Sequence, residues 1–318
     1  MNRRSLGSTG LEVSEIAFGG VEIGIPYGIG VRTEADMLSE NEAIRLIHES
    51  IDSGINFYDT ARMYGNSEAI MGRAFAGIRN QIVIATKCRH FRDHTGRLPP
   101  SAEIRGFVRR SLEESLNALQ TDFVDLYMLH QSDLEILSHH EIQNVFSDLK
   151  KEGRVRAIGA STYSVAETSE AIKSGLWDLV QIPFNLMDQS HEGLFKSAVE
   201  SGVAITVRSV LMKGLLASGN IELHPALHAV QQHIENYRDL LNESITDLVS
   251  LALKFALSYK EVASVLLGID KSEYLHKALA IADGRYLNST QMEQVKSRPY
   301  PDPEFLNLQH WQKAGWLP

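Results

Sequence analysis

Short, mostly apolar runs of four to seven residues alternate along the chain with longer segments whose apolar positions recur at helical spacing. The runs are Ile16–Gly19, Ile55–Asp59, Ile82–Thr86, Val124–Leu129, Val155–Gly159, Leu179–Ile182, Val203–Val207 and Ser264–Gly268. Nearly continuous apolarity over such lengths predicts strands covered on both faces. Between them, Ile44, Ile47 and Ile51 share one helical face, as do Val108, Leu112, Leu116 and Leu119. Ile142, Val145, Phe146 and Leu149 follow the i, i+3, i+4, i+7 rule, and Ile245, Leu248, Val249, Ala252 and Ala256 nearly so. Gly54 and Gly153 stand just past two of these helices, where a left-handed cap is wanted.

Eight strands alternating with helices predict a parallel sheet, and eight such units favour a closed (β/α)₈ TIM barrel in the α/β class. The open doubly wound alternative calls for G-x-G-x-x-G after the first strand. The chain instead reads Phe18-Gly19-Gly20-Val21-Glu22-Ile23-Gly24 there. Residues 1–14 are expected to form an N-terminal hairpin plugging the barrel bottom, and the whole chain, 1–318, to form one domain. The connections Gly20–Glu40, Cys88–Pro100 and Met212–Leu241 are longer than usual. All three follow a strand, so they rise at the C-terminal face, where barrel sites are built. The tail from Ser297 to Pro318, with Trp311 and Trp316, is expected over that mouth.

Composition narrows the classes. The chain has 318 residues, with 31 basic against 40 acidic side chains and a formal charge of −9. That balance argues against a nucleic-acid binder. One cysteine, Cys88, makes no intrachain pair, and the start MNRRSLGSTG has no apolar leader, so a reducing, cytoplasmic setting is expected. No run of about 18 apolar residues predicts a membrane span. No heptad or exposed apolar helix makes an oligomeric state legible.

Ionisable residues stand at the ends of successive strands. Asp59 ends the second, with Tyr64 five residues on in Asp59-Thr60-Ala61-Arg62-Met63-Tyr64; Lys87 ends the third and His130 the fourth. In a barrel these positions converge on one mouth. A phenol is a poor acid at neutral pH, and a neighbouring ammonium lowers its pKa. Lys87 is expected to do this for Tyr64, with Asp59 holding the ammonium and His130 orienting a carbonyl. Tyr64 then delivers a proton as hydride reaches the carbonyl carbon.

These four residues resemble the Asp-Tyr-Lys-His tetrad of the aldo-keto reductase superfamily. The segment Gly54-Ile55-Asn56-Phe57-Tyr58-Asp59-Thr60-Ala61-Arg62-Met63-Tyr64-Gly65-Asn66-Ser67-Glu68 is similar to the family signature. The resemblance runs from the opening hairpin to about residue 282. It implies a nicotinamide cofactor, NADP(H) or NAD(H), lying extended across the strand ends. By position, Ser161 in Gly159-Ala160-Ser161-Thr162 binds the carboxamide, with Thr162 replacing the usual Asn, and Gln181 holds its other side. Arg208 stands where many members stack a tyrosine on the nicotinamide; its planar guanidinium is expected to take that place. Ser209, Leu211 and Lys213 are expected along the pyrophosphate. The adenosine end falls at Gly268, Asp270, Lys271 and Tyr274. There Asp270 either repels a 2′-phosphate and accepts a ribose hydroxyl, or caps the helix starting at Lys271.

The reading is therefore an NAD(P)-dependent oxidoreductase interconverting an aldehyde or ketone with its alcohol. Three alternatives stay open: a nicotinamide-binding regulatory subunit, a barrel hydrolase or lyase using Asp59 and His130, and an epimerase or dehydratase retaining its cofactor. Arg89, His90, Arg92 and His94 cluster after Lys87, and clustered cations favour a polyhydroxylated or anionic small-molecule substrate, such as a sugar. Tyr27, Phe91, Trp311 and Trp316 are candidates for lining its pocket. His139-His140 has no metal-ligand spacing and is expected to open a helix; Cys88 is expected to be a buried thiol.

Overall fold

The computed structural model describes residues 1–31, 33–217 and 223–317. Two antiparallel strands come first, β1 (Arg3–Ser5) and β2 (Glu12–Ser14), with Arg4 facing Val13. Eight parallel strands follow: β3 (Ile16–Gly19), β4 (Phe57–Asp59), β5 (Val83–Lys87), β6 (Val124–Leu129), β7 (Val155–Ser161), β8 (Leu179–Pro183), β9 (Ala204–Arg208) and β10 (Val262–Gly268). They close into a barrel in sequence order, β10 pairing β3 through Val265 opposite Ile16 and Gly268 opposite Gly19. The eight predicted strands are the eight barrel strands, and most differ from expectation only by a residue or two at an end.

The apolar strands serve two cores. Inward side chains, among them Ala17, Phe57, Ala85, Met128, Leu179 and Ala204, fill the barrel and meet Leu6, Leu11 and Val13 of the hairpin. The hairpin thus closes the lower end, as expected. Gly7, at φ +55°, lies so close to Gly202 and Ala204 that a Cβ would stand 2.5 Å from the Gly202 carbonyl oxygen. The second core lies between barrel and helices. In α1 (Glu40–Asp52) Ile47 is buried while Ile44 and Ile51 are partly so; on the helix Ser101–Leu119 all four predicted positions are buried, as they are on the helix His140–Lys151. Of the last predicted face, Ile245 lies ahead of the helix, which runs Leu248–Ser258 with the Asp247 side chain accepting from the Ser250 N–H.

Two of the long connections carry helical structure of their own. The first contains a short 3₁₀ turn, Glu34–Asp36. Beyond β9 lie the 3₁₀ turns Met212–Gly214 and Pro225–Leu227 and the helix His228–Glu235, while residues 218–222 fall outside the described residues. The tail also folds, into the helix Leu308–Lys313. No helix among the described residues is long and apolar enough to cross a membrane.

Candidate active site

The C-terminal strand ends open into one long cavity of about 1370 Å³. Tyr64 reaches it from the loop after β4. That loop is pinned from several sides: the Arg62 N–H donates to the Lys87 carbonyl, and the Tyr64 N–H to the Ala61 carbonyl. Arg62 also pairs with buried Glu68, whose other oxygen accepts from the Thr86 hydroxyl at 2.6 Å. The first long loop packs against the Tyr64 turn only because two glycines meet there. A Cβ on Gly24 would lie 2.0 Å from the Tyr64 carbonyl oxygen, and one on Gly65, at φ +49°, 2.2 Å from that of Gly24.

Lys87 ends β5 inside the barrel. Its Nζ donates to Asp59 Oδ1 at 2.5 Å and to the Thr60 carbonyl at 3.0 Å. The second carboxylate oxygen of Asp59 accepts from Gln181 Nε2 at 2.9 Å. Lys87 Nζ stands 5.1 Å from the centre of the Tyr64 ring, and the His130 ring meets Tyr64 edge to face with centroids 5.3 Å apart. The four strand-end residues are thus brought together.

The electrostatics correct one expectation. The Tyr64 hydroxyl is not acidified: burial, with the Asp59 carboxylate next, holds its pKa well above the ordinary value. Lys87 puts its charge into Asp59 and Thr60 and lies against the ring, and burial pulls its own pKa down. Burial, together with the nearby Lys87 cation, also keeps His130 neutral well below its usual range. The site is therefore poised with a protonated phenol and a neutral imidazole. His130 Nδ1 is buried with no hydrogen-bond partner among the described residues.

The residues expected around a nicotinamide divide. Ser161, Gln181, Arg208, Ser209, Leu211 and Lys213 line the cavity, as do Gly268, Asp270, Lys271 and Tyr274. Thr162 does not. Its side chain is buried and bonded to the Thr168 hydroxyl at 2.7 Å, and its carbonyl accepts from Arg208 at 3.0 Å. Gln181 has its amide nitrogen committed to Asp59. Arg208 stacks on the ring of Tyr163, 4.2 Å from its centre. Asp270 is not a helix cap: the last helix of the barrel runs Ser272–Ile281 with Lys271 at the cap position. After β9 the backbone turns left-handed at Ser209 (φ +60°), Met212 (+49°) and Lys213 (+56°), all non-glycine residues. Strain of this kind concentrates where side chains are aimed at a ligand.

The cation cluster after Lys87 disperses on folding. Arg89 pairs with Glu114, and Arg92 with Asp133 and Glu135. Only His90 faces the cavity, its ring 4.8 Å from that of His130, with burial lowering its pKa. Of the aromatic candidates, Tyr27 lines the cavity, while Phe91 packs on Phe107 in the outer core. Trp311 is fully buried, its indole donating to the Phe305 carbonyl, and Trp316 packs on the rings of Phe305 and His310. The tail nonetheless crosses the mouth: Gln309 donates to the Tyr163 hydroxyl at 2.6 Å, and Gln312 accepts from Lys213 at 2.5 Å. Cys88 is buried, with burial pushing its thiol up to about 11. His139 precedes the helix His140–Lys151, as expected, although the short helix Leu134–Ser138 comes between it and β6.

Sequence reasoning did not single out Glu22, Tyr163 or the tail residues Asn307, Gln309 and Gln312, all of which line the cavity. Glu22 carried a signal, an acidic residue three positions past the apolar strand Ile16–Gly19. The tail residues carried none, because a short polar helix gives no hint of what it will cover.

A sequence model of the aldo/keto reductase family matches residues 15–298, and the chain belongs to that family. It is an NAD(P)-dependent oxidoreductase. It is similar to an uncharacterized oxidoreductase of Bacillus subtilis (strain 168), with 28% identity over 95% of this chain and 98% of the relative. The L-galactose dehydrogenase of Arabidopsis thaliana is 29% identical over 87% of this chain and 86% of its own. The NADH-specific methylglyoxal reductase of Escherichia coli (strain K12) is 27% identical over 88% and 93%. Among solved structures, the holo form of an aldo-keto reductase from Bacillus halodurans superposes with a TM-score of 0.78 at 25% identity, covering 95% of this chain and 99% of that one.

Proposed function

We propose that the chain interconverts the carbonyl group of a small, polar, uncharged compound, such as a sugar, with the corresponding alcohol, Tyr64 serving as general acid and base. The observation that carries this reading is the pairing of a protonated Tyr64 with a neutral His130 at the mouth of one cavity.

A nicotinamide dinucleotide suits the donor set of the channel. Ser161 lies near one end and Arg208 close to it, Lys213 follows, and Lys271 stands at the far end, so cations are spaced for a polyanionic ligand. The bound nicotinamide supplies or accepts the hydride. The protein's own groups do the rest. His130 and Tyr64 converge where a carbonyl oxygen would be held, and the Tyr64 hydroxyl gives that oxygen a proton in reduction and takes it back in oxidation. Asp59, bonded to both Lys87 and Gln181, holds Lys87 against the Tyr64 ring and so fixes the position of the phenol.

The substrate class follows from the lining. Tyr27, His90, Tyr163, Asn307 and Gln309 offer hydrogen bonds without net charge, which fits several hydroxyls better than an acid group. The Arabidopsis L-galactose dehydrogenase among the relatives agrees with a sugar. The test has two steps. NADH and NADPH are titrated separately into the purified protein by intrinsic fluorescence and calorimetry. Turnover is then followed at the nicotinamide absorbance with a panel of aldoses and short aldehydes. Binding of one cofactor and turnover of neutral polyols or aldoses support the reading. Binding with turnover only of carboxylated or long-chain substrates overturns the substrate class, and no binding of either cofactor overturns the whole.

A further inference from the structure

Glu22 is an acidic side chain of the cavity that the proposed chemistry leaves without a task. It lies on the loop after β3, half-buried, with its carboxyl oxygen Oε2 withdrawn from water. The space it occupies exists because β10 ends in glycine: a Cβ on Gly268 would fall 1.7 Å from Glu22 Oε1. Among the described residues its own backbone N–H donates to the carboxyl, and Oε2 has no hydrogen-bond partner. The charged groups facing it come from three other elements: Asp270 beyond β10, Asp59 at the end of β4 and Lys213 beyond β9. Tyr27 faces it from the same loop. An acid with two carboxylates and one ammonium around it lies in the channel between Lys213 and Asp270.

We propose that Glu22 is a cofactor-binding residue that acts as a neutral carboxylic acid, its free O–H donating to an oxygen of the dinucleotide in the stretch between Lys213 and Asp270. The inference rests on the dinucleotide reading above. A carboxylate at this point would oppose the cofactor's negative charge and cancel the attraction of Lys213. A carboxylic acid does neither and supplies a donor that the orphaned oxygen lacks a use for otherwise. Burial pushes Glu22 up to about 8, so the acid form is present at neutral pH before any ligand arrives. A bound polyanion stabilises that proton further, so binding above about pH 8 draws a proton from solvent. Affinity is then level below that point and falls by up to about tenfold per pH unit above it, the slope for one linked proton. Lys213, which burial lowers to about 8, titrates in the same window and must be separated.

Calorimetric titration with NADH and with NADPH at pH 8.5, in two buffers of different ionisation enthalpy, counts the protons taken up. Native protein and Lys213→Met are expected to take up about half a proton or more per cofactor, Glu22→Gln less than the native protein by about that amount, and the Glu22→Gln, Lys213→Met double variant close to none. Glu22→Gln is also expected to keep its pH 7 affinity within about threefold and to lose most of the fall between pH 8 and 9.5. Absence of uptake in the native protein, or uptake that survives in Glu22→Gln and vanishes in Lys213→Met, overturns the proposal. Should Glu22→Gln not fold, the native and Lys213→Met counts decide alone, with loss of uptake in the latter being fatal. Failure of the native protein to bind either cofactor at any pH instead overturns the dinucleotide reading itself.

Discussion

Lys87 Nζ lies 2.5 Å from Asp59 Oδ1, and both side chains are almost wholly withdrawn from water. Each is the other's ion-pair partner, so each makes the other's burial tolerable. Asp59→Asn keeps the shape and the contact with Gln181 but leaves an uncompensated ammonium in the barrel. We expect it to lower stability by about 3–5 kcal/mol, read as a fall in the denaturant midpoint at unchanged m. A loss below about 1 kcal/mol would show that Lys87 discards its proton instead.

Tyr64→Phe removes one oxygen at the mouth and touches no packing element of the barrel. Turnover is expected to drop about 10²–10⁴-fold, the usual worth of a positioned acid or base. Cofactor affinity, measured by fluorescence quenching, should stay within a factor of about two. A variant retaining most of its turnover would remove Tyr64 from the chemistry.

The buried imidazole of His130 makes a pH prediction about stability. Unfolded, it takes up a proton near pH 6.5; folded, burial and Lys87 keep it neutral until well below that. The unfolded chain therefore binds more protons in that interval. Stability is complete above about 6.5 and falls as the pH drops below it. His90 and His191, both also lowered chiefly by burial, add to the same trend. His130→Gln should flatten the decline in melting temperature between pH 6.5 and 4.5, and an unaltered slope would assign the decline to other groups.

Arg208 stacks on Tyr163 and donates to the Thr162 carbonyl, which holds its guanidinium flat at the edge of the channel. Arg208→Ala is expected to weaken cofactor binding by about tenfold or more, since a hydrogen bond from a charged donor contributes about 1.5–3 kcal/mol. Arg208→Lys should rescue little of this, because an ammonium neither stacks nor forks. Unchanged affinity in the alanine variant would mean the arginine only fastens the tail of β9 to the loop after β7.

Much of the fold is legible in the order of residues, because the barrel's strands are apolar on both faces and its helices on one. Val124–Leu129 and Ile16–Gly19 match their predicted ends, and Gly54 and Gly153 take the left-handed caps, at φ +95° and +73°. Local chemistry dictates these features, so a linear reading reaches them. The convergence of Asp59, Tyr64, Lys87 and His130 was legible for a related reason: each ends a strand or follows one closely, and a closed barrel gathers strand ends at one mouth.

What the order of residues did not decide is which charges would remain unpaired. Arg89 and Arg92 read as mouth cations until folding brings Glu114, Asp133 and Glu135 beside them, from 25 to 43 positions away. Thr162 reads as a cofactor ligand until the helix after it places Thr168 within hydrogen-bond reach. Gln181 meets Asp59 across 122 positions, and Glu22 meets Gly268 across the closure of the barrel. Pattern and spacing determine which elements form and where their ends lie, because propensity and periodicity act over a few residues. Burial, pKa direction and partner are settled only when distant segments exclude water from one another, and that is a property of the packed barrel alone.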